Sequence, residues 1–235
     1  MPHRNSKTGF IPDIKNFPQL YSVLNEADKR FLLENHSVKF YKKNEKIYIE
    51  GEKPKGLLCL GQGKVKVYKS GVGGREQIVR MVAAPGFLGY RALFADDIHI
   101  ASAVAIEECV IFFIPKDIIF KLIASNKKVC MNILRSFATE LGFTRYRTVS
   151  LTQKHIRGRL AESLLYLLEI YGYEENGQTL NVQLSREDIA NFSNMTTSNA
   201  IRTLSTFVNE KVIAVDGRSI KILEENKLER ISELG

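Results

Sequence analysis

The chain has 235 residues, of which 44% are apolar and 26% charged, and a net charge of +8. No apolar run approaches the ~20 residues that a membrane-spanning helix needs, and the opening MPHRNSKTGF lacks the apolar core of a secretion signal. An ordinary soluble cytoplasmic protein of one large or two medium domains is expected. Its three scattered cysteines, Cys59, Cys109 and Cys130, exclude a four-cysteine iron–sulfur site within one chain and read as reduced, mostly buried thiols.

Residues 1–19 are polar with scattered proline and read as a loose arm. Tyr21 to Leu33 has a helical pattern, with Asn25-Glu26-Ala27-Asp28 as a helix start. From His36 to Ala84 short β-rich runs alternate with turns: Ser37–Tyr41, Lys46–Ile49, Gly56–Leu60, Lys64–Lys69 and Glu76–Val82. Two more follow at Ile100–Ala105 and Cys109–Ile114. Short strands at such regular spacing predict an antiparallel sandwich or barrel. Pro115 ends this region and opens a helix over Lys116–Ala124. After Ser125-Asn126 a longer helix runs to about Thr152.

On that helix Cys130, Leu134, Phe137, Leu141, Thr144, Thr148 and Leu151 are spaced 4, 3, 4, 3, 4 and 3. This a/d heptad register predicts a self-dimerisation seam, most apolar at Phe137 and Leu141. A helix packed on its own domain is the other reading of the same spacing. A further helix, His155 to Tyr171, turns Ile156, Leu160, Leu164, Leu167 and Leu168 inward. The order gives an α+β chain in three parts: a β domain over 1–124, a dimerisation helix over 125–152, and a final domain over 153–235.

That final domain is organised around LSREDIANFSNMTTSNAIRTLSTF, Leu184 to Phe207. Ser185 and Asp188 make a capping box for one short helix. Ser193-Asn194-Met195 is a tight turn, with Asn194 at the left-handed position. Thr196 caps a second helix that turns Ala200, Leu204 and Phe207 inward. Thr197, Ser198, Asn199 and Arg202 are left outside near its N-terminus, where a helix-turn-helix presents side chains to base edges. Ser193 and Thr203 depart from the apolar residues usual at those places. Val212–Val215 and Ser219–Leu223 flank Asp216-Gly217, a strong hairpin signal. Helix-turn-helix plus hairpin is a winged helix, and double-stranded DNA is the expected partner.

The charge is unevenly spread: residues 153–235 carry 10 Lys+Arg against 12 Asp+Glu, and residues 1–152 carry 24 against 14. DNA affinity must then come from local cations, chiefly Arg202, Arg218 and Lys221.

This order of β-roll, long dimer helix and winged helix resembles the cyclic-AMP receptor and fumarate/nitrate regulator (Crp/Fnr) family of bacterial transcription factors over roughly residues 20–225. The carriers are His36 through Gly51-Glu52, Gly61-Gln62-Gly63-Lys64-Val65, Gly74-Arg75-Glu76, the run Gly86-Phe87-Leu88-Gly89-Tyr90-Arg91-Ala92-Leu93-Phe94, and Gly158-Arg159-Leu160-Ala161. The resemblance implies a homodimeric DNA-binding regulator with a cyclic-nucleotide-binding-like jelly roll, working with RNA polymerase. The run from Gly86 matches the family's phosphate-binding cassette, where cyclic-nucleotide binders carry Phe-Gly-Glu and, further on, Arg-Ser/Thr-Ala. Their Glu takes the ribose hydroxyl and their Arg neutralises the cyclic phosphate.

Here Tyr90 stands at the Glu position and Ala101 at the Arg position, with Ser102 and Ala103 following. Losing two charge-assisted bonds removes several kcal/mol of affinity, so cyclic AMP is not the expected effector. Tyr90, Arg91, Ser102, Thr144 and Arg145 are the candidate pocket residues, Thr144 and Arg145 by resemblance from the two subunits. Three occupants remain open: Tyr90 itself as a plug with no effector, an anionic small molecule other than cyclic AMP, or a sensor group such as haem. Thr197 and Ser198 lie where many relatives carry an Arg and a Glu that read bases, so the relatives' DNA sequence is not expected to carry over; the alternative function is a sensing module that no longer binds DNA specifically. The four histidines form no HxxxH or HxH pair, and no nucleophile elbow, phosphate loop or carboxylate pair is present. Neither a metal cofactor nor catalysis is expected.

Overall fold

In the computed structural model, which describes residues 12–234, the side chain of Asn25 accepts the amide of Asp28 and opens α1 (Glu26–Asn35). The helix expected from Tyr21 is therefore shorter, and Tyr21–Val23 forms a single 3-10 turn instead. The loose arm expected over residues 1–19 is corrected where it is described. Residues 1–11 lie outside the described residues, but Ile14, Phe17 and Leu20 are buried in the same cluster as Phe87 and Phe112. Three apolar residues at a spacing of three suffice to anchor a segment that is polar on average.

The strands β1 (Ser37–Tyr41), β2 (Lys46–Tyr48), β3 (Gly56–Gln62), β4 (Lys64–Ser70), β5 (Glu76–Ala83), β6 (Gly86–Leu88), β7 (Ser102–Ala105) and β8 (Cys109–Pro115) form two antiparallel four-stranded sheets. Their orders are β1-β8-β3-β6 and β2-β7-β4-β5. Alternate residues face inward: Leu58 and Leu60 of β3 meet Val65 and Val67 of β4, Ala103 and Ala105 of β7, and Ile111 of β8. Between β6 and β7 a short helix, α2 (Tyr90–Phe94), crosses one end of the roll. Gly89 caps it at φ +66, and a Cβ there would come within 2.8 Å of the His99 ring. Both the left-handed backbone and the close approach call for glycine.

Helix α3 (Lys116–Ser125) follows Pro115 directly. Asn126 then accepts the amides of Lys128 and Val129 and opens α4 (Lys127–Gln153), 27 residues long. Val129 and Ile133 of α4 are buried under the roll with Phe137 packed beside them. Leu134 and Leu141 are 56% and 53% exposed. Cys59 and Cys109 are buried, whereas Cys130, on the exposed side of α4, is not.

The last part comprises α5 (Ile156–Tyr171), α6 (Arg186–Phe192), α7 (Thr197–Asn209), the hairpin β9 (Ile213–Asp216) and β10 (Ser219–Ile222), and α8 (Glu225–Leu234). Leu228 of α8 is buried and the helix lies along α5. The core of this part does not stop at its own boundary. Tyr68, Ile78, Met81, Val104 and Ile106 of the β-roll belong to the same buried cluster as Leu164, Ile189, Phe192 and Leu204.

Candidate functional site

The geometry of α6 and α7 is set locally. Ser185 Oγ accepts the Asp188 amide while the Asp188 carboxylate accepts from Ser185, so the box is closed in both directions. Asn194 takes φ +50 in the turn. The Thr196 hydroxyl accepts the Asn199 amide at 3.2 Å and opens α7. Ala190 and Ala200, both fully buried, let the two helices approach, and Phe207 and Leu204 fill the space behind. Ser193 is fully buried, its hydroxyl without a partner among the described residues, and the Thr203 hydroxyl donates back to the Asn199 carbonyl at 2.8 Å. A polar residue at each departure from the usual pattern is thus accommodated without opening the helix pair.

The outer side of α7 presents Thr197, Ser198, Ile201, Arg202 and Ser205, all exposed, and Asn199 is half-buried on one flank. Thr196 is exposed at the cap. Arg218 is exposed at the wing, whose tip is tied to α6 by the Arg186 guanidinium donating to the Gly217 carbonyl at 2.7 Å. An exposed helix N-terminus with hydroxyls, an amide and a guanidinium, beside a basic wing, has the shape and donor set for the major groove of DNA.

A second feature lies between the β-roll and α4: a cavity of about 410 Å3. Tyr90 and Arg91 border it from α2, and Thr144, Thr148 and Leu151 from α4. The Tyr90 hydroxyl donates to the Glu140 carboxylate, and the ring sits edge-on to Phe137 with centroids 4.6 Å apart. Arg80 reaches the same Glu140 oxygen at 3.2 Å. Burial, with Glu140 adding to it, pushes the Tyr90 phenol above its ordinary range, so it stays a donor. Tyr48 stacks on His99 with centroids 4.0 Å apart. Burial pushes the Tyr48 phenol up to about 12 and the His99 imidazole below its ordinary range, so both are neutral at pH 7.

Two of the expected pocket residues, Ser102 and Arg145, do not line this chain's cavity. Ser102 is buried off the lining and accepts the Glu50 amide at 3.0 Å. Arg145 is exposed on the opposite side of α4, because two helical residues separate it by about half a turn from Arg147, which does line the cavity. Arg91 pairs with the exposed Asp97, six residues on, at 3.2 Å, and donates to the Ile98 carbonyl at 2.7 Å. Sequence reasoning missed Arg80, Glu140, Gln77 and Arg147, and their sequence signal is slight, since each reads as an ordinary polar residue on a strand or a helix face. Among the described residues, no helix is long and apolar enough to cross a membrane.

A model of the cyclic nucleotide-binding domain matches residues 38–126, and a model of the Crp-like helix-turn-helix domain matches residues 158–231. The CRP-like cAMP-activated global transcriptional regulator of Mycobacterium tuberculosis is 25% identical over 185 residues, 78% of this chain and 83% of its own. The fumarate and nitrate reduction regulatory protein of Vibrio cholerae is 26% identical over 189 residues, 79% and 74% of the two chains. The solved structure of FixK2 from Bradyrhizobium japonicum superposes with a TM-score of 0.75 at 22% identity, covering 83% of this chain and 96% of that one. That last likeness concerns the fold.

Proposed function

Because the chain belongs to the Crp/Fnr family of DNA-binding transcription regulators, we propose that it works as a homodimer that reads a pseudo-palindromic operator, and that its effector, if it has one, is not cyclic AMP. The observation that carries the reading is the exposed N-terminal surface of α7, with Thr197, Ser198 and Arg202 free beside a basic wing. Dimerisation is supported by the exposed leucines of α4, Leu134 and Leu141, on a helix whose other side is already buried. A two-fold dimer places two recognition helices about one turn of DNA apart, hence the pseudo-palindrome. Contact with RNA polymerase belongs to the same reading.

Fluorescence anisotropy against genomic promoter fragments tests it. A regulator keeps a subset of tight complexes at a salt concentration that dissolves the rest. Binding that falls equally for every fragment would overturn sequence-specific recognition and favour a module that only senses.

The exclusion of cyclic AMP is supported by the cassette. Tyr90 replaces the ribose-binding carboxylate, and its hydroxyl is already engaged by Glu140. Ala101 borders the cavity where a phosphate-binding guanidinium is needed. Calorimetry with cyclic AMP should show no saturable heat, and micromolar affinity would refute this part.

A further inference from the structure

Among the described residues, four lysine and arginine side chains border the cavity, and three meet a carboxylate. Lys69 reaches Glu50 at 2.5 Å, Arg80 reaches Glu140 at 3.2 Å, and Arg91 reaches Asp97 at 3.2 Å. The fourth, Arg147, has no carboxylate partner among the described residues. It is 6% exposed, its guanidinium lies 3.9 Å from the centre of the Phe192 ring, and one N–H donates to the Phe192 carbonyl. Its Nε hydrogen has no acceptor among the described residues. Burial lowers the guanidinium to about 10, with Glu162 opposing, which leaves it charged at neutral pH. A buried cation without a counter-ion is costly to keep, and this one opens onto a cavity.

Phe192 is the last residue of α6, and its carbonyl is one of the acceptors that a helix C-terminus leaves without an internal partner. The preceding carbonyl, Asn191, accepts from Gln77 Nε2 at 2.7 Å. Gln77 comes from β5 and Arg147 from α4, and both border the cavity. The C-terminal end of the first helix of the helix-turn-helix is therefore capped from outside its own domain, by two side chains that share one cavity wall.

We propose that Arg147 is at once the anion-recognising group of this cavity and the link by which occupancy reaches the helix-turn-helix: an organic monoanion with an apolar body draws the guanidinium off the Phe192 carbonyl and frees α6 from α4. One cation with no carboxylate in contact calls for one negative charge. The neighbouring walls, Val67, Ile78, Ala101 and Leu151 with the neutral Tyr48 and His99, call for an apolar body. A carboxylate outcompetes a neutral carbonyl because a charge-assisted bond is roughly twice as strong. The two states then differ in a named contact, as a ligand-driven shift requires. The consequence for DNA rests on the regulator reading above; the two measurements that follow do not.

In the full-length protein, amide hydrogen exchange over Asn191–Met195 should rise several-fold in Arg147→Met and less in Arg147→Lys, which keeps a cation over the ring. Gln77→Leu should raise it too. Straight-chain carboxylates from butyrate to octanoate, and benzoate, should raise the melting temperature more than their neutral amides. They should also speed exchange at the end of α6, and lose both effects in Arg147→Met but not in Gln77→Leu. Unchanged exchange in Arg147→Met and Gln77→Leu would overturn the coupling. Carboxylates no better than amides, or equally effective in Arg147→Met, would overturn the ligand assignment. If Arg147→Met does not fold, Arg147→Lys and Gln77→Leu decide the same points. Failure of the wild type to bind promoter DNA counts against the regulator reading alone.

Discussion

Arg202 lies on the exposed side of α7, one turn beyond Ser198 and away from the buried Ala200, Leu204 and Phe207. Its guanidinium offers two parallel donors, the geometry that reads guanine O6 and N7. Arg202→Ala is expected to weaken operator binding by about 1–3 kcal/mol and to relax the preference at one base pair in each half-site. Competition binding with single-base operator variants measures both. A loss of the same size on every variant would make Arg202 a phosphate contact instead. This residue and its setting were legible because the devices that place it are local: a cap at Thr196, a left-handed Asn194, a capping box between Ser185 and Asp188, each within four residues. Arg147 was not legible. Its meaning comes from Phe192, 45 residues on, and from Gln77 on a distant strand. Arg91 is the opposite case, since its partner is close in sequence: the turn at Asp96, with φ +51, brings Asp97 back onto it.

At the scale of elements, α4 carries two kinds of information in one sequence. A spacing of 4 and 3 says that one side is apolar but not what lies against it. The structure divides the predicted seam. Phe137 packs against Tyr90 of the chain's own roll, and Thr144, Thr148 and Leu151 border the cavity. Leu134 and Leu141 remain exposed, one turn to either side of Phe137, with Met131 and Val149 extending the stripe. The outer stripe is what a partner would cover. Leu141→Glu places like charges near each other across a two-fold axis, where each would lose water without gaining a counter-ion. Sedimentation should show dissociation at concentrations where the wild type is dimeric, and specific DNA binding should fall with it. An unchanged profile would place the partner interface elsewhere. The strands of five or more residues were legible because alternation and turn residues are strong over that length, and the shorter β9 and β10 because Asp216-Gly217 marks their turn. The elements missed, β6, α2 and α8, are three, five and ten residues long. For the first two, no period can be counted in so few positions. For α8, only Leu228 and Ile231 face the core within a charged run.

At the scale of the molecule, the winged helix and the β-roll share a buried cluster, and one ion pair sits at its edge. Lys66 of β4 reaches the Asp188 carboxylate at 2.6 Å, and Asp188 is the capping-box residue of α6. Both side chains are largely withdrawn from water, at 15% and 18% exposure. Burial acts to raise the Asp188 carboxyl, but the bonds from Lys66 and Ser185 outweigh it and hold the group below its ordinary range. A carboxyl lowered in the folded state contributes stability in full above its unfolded value, about 4, and loses that contribution as pH falls through its lowered folded value. Asp188→Asn keeps a capping side chain but removes the charge, so at pH 7 it should reduce the unfolding free energy by about 1.5–3 kcal/mol, the range for a hydrogen bond to a charged group. Lys66→Met should cost a similar amount at pH 7, and the double variant should cost less than the two together, since they delete one interaction. As pH falls below about 4, the gap between wild type and Asp188→Asn should close. Denaturant unfolding of the four proteins at several pH values measures all of this. A gap that stays constant down to pH 3, or strictly additive losses, would mean that Asp188 acts only as a helix cap, and that the β-roll holds the winged helix by the apolar contacts of Ile78, Met81 and Ile106 without help from charge.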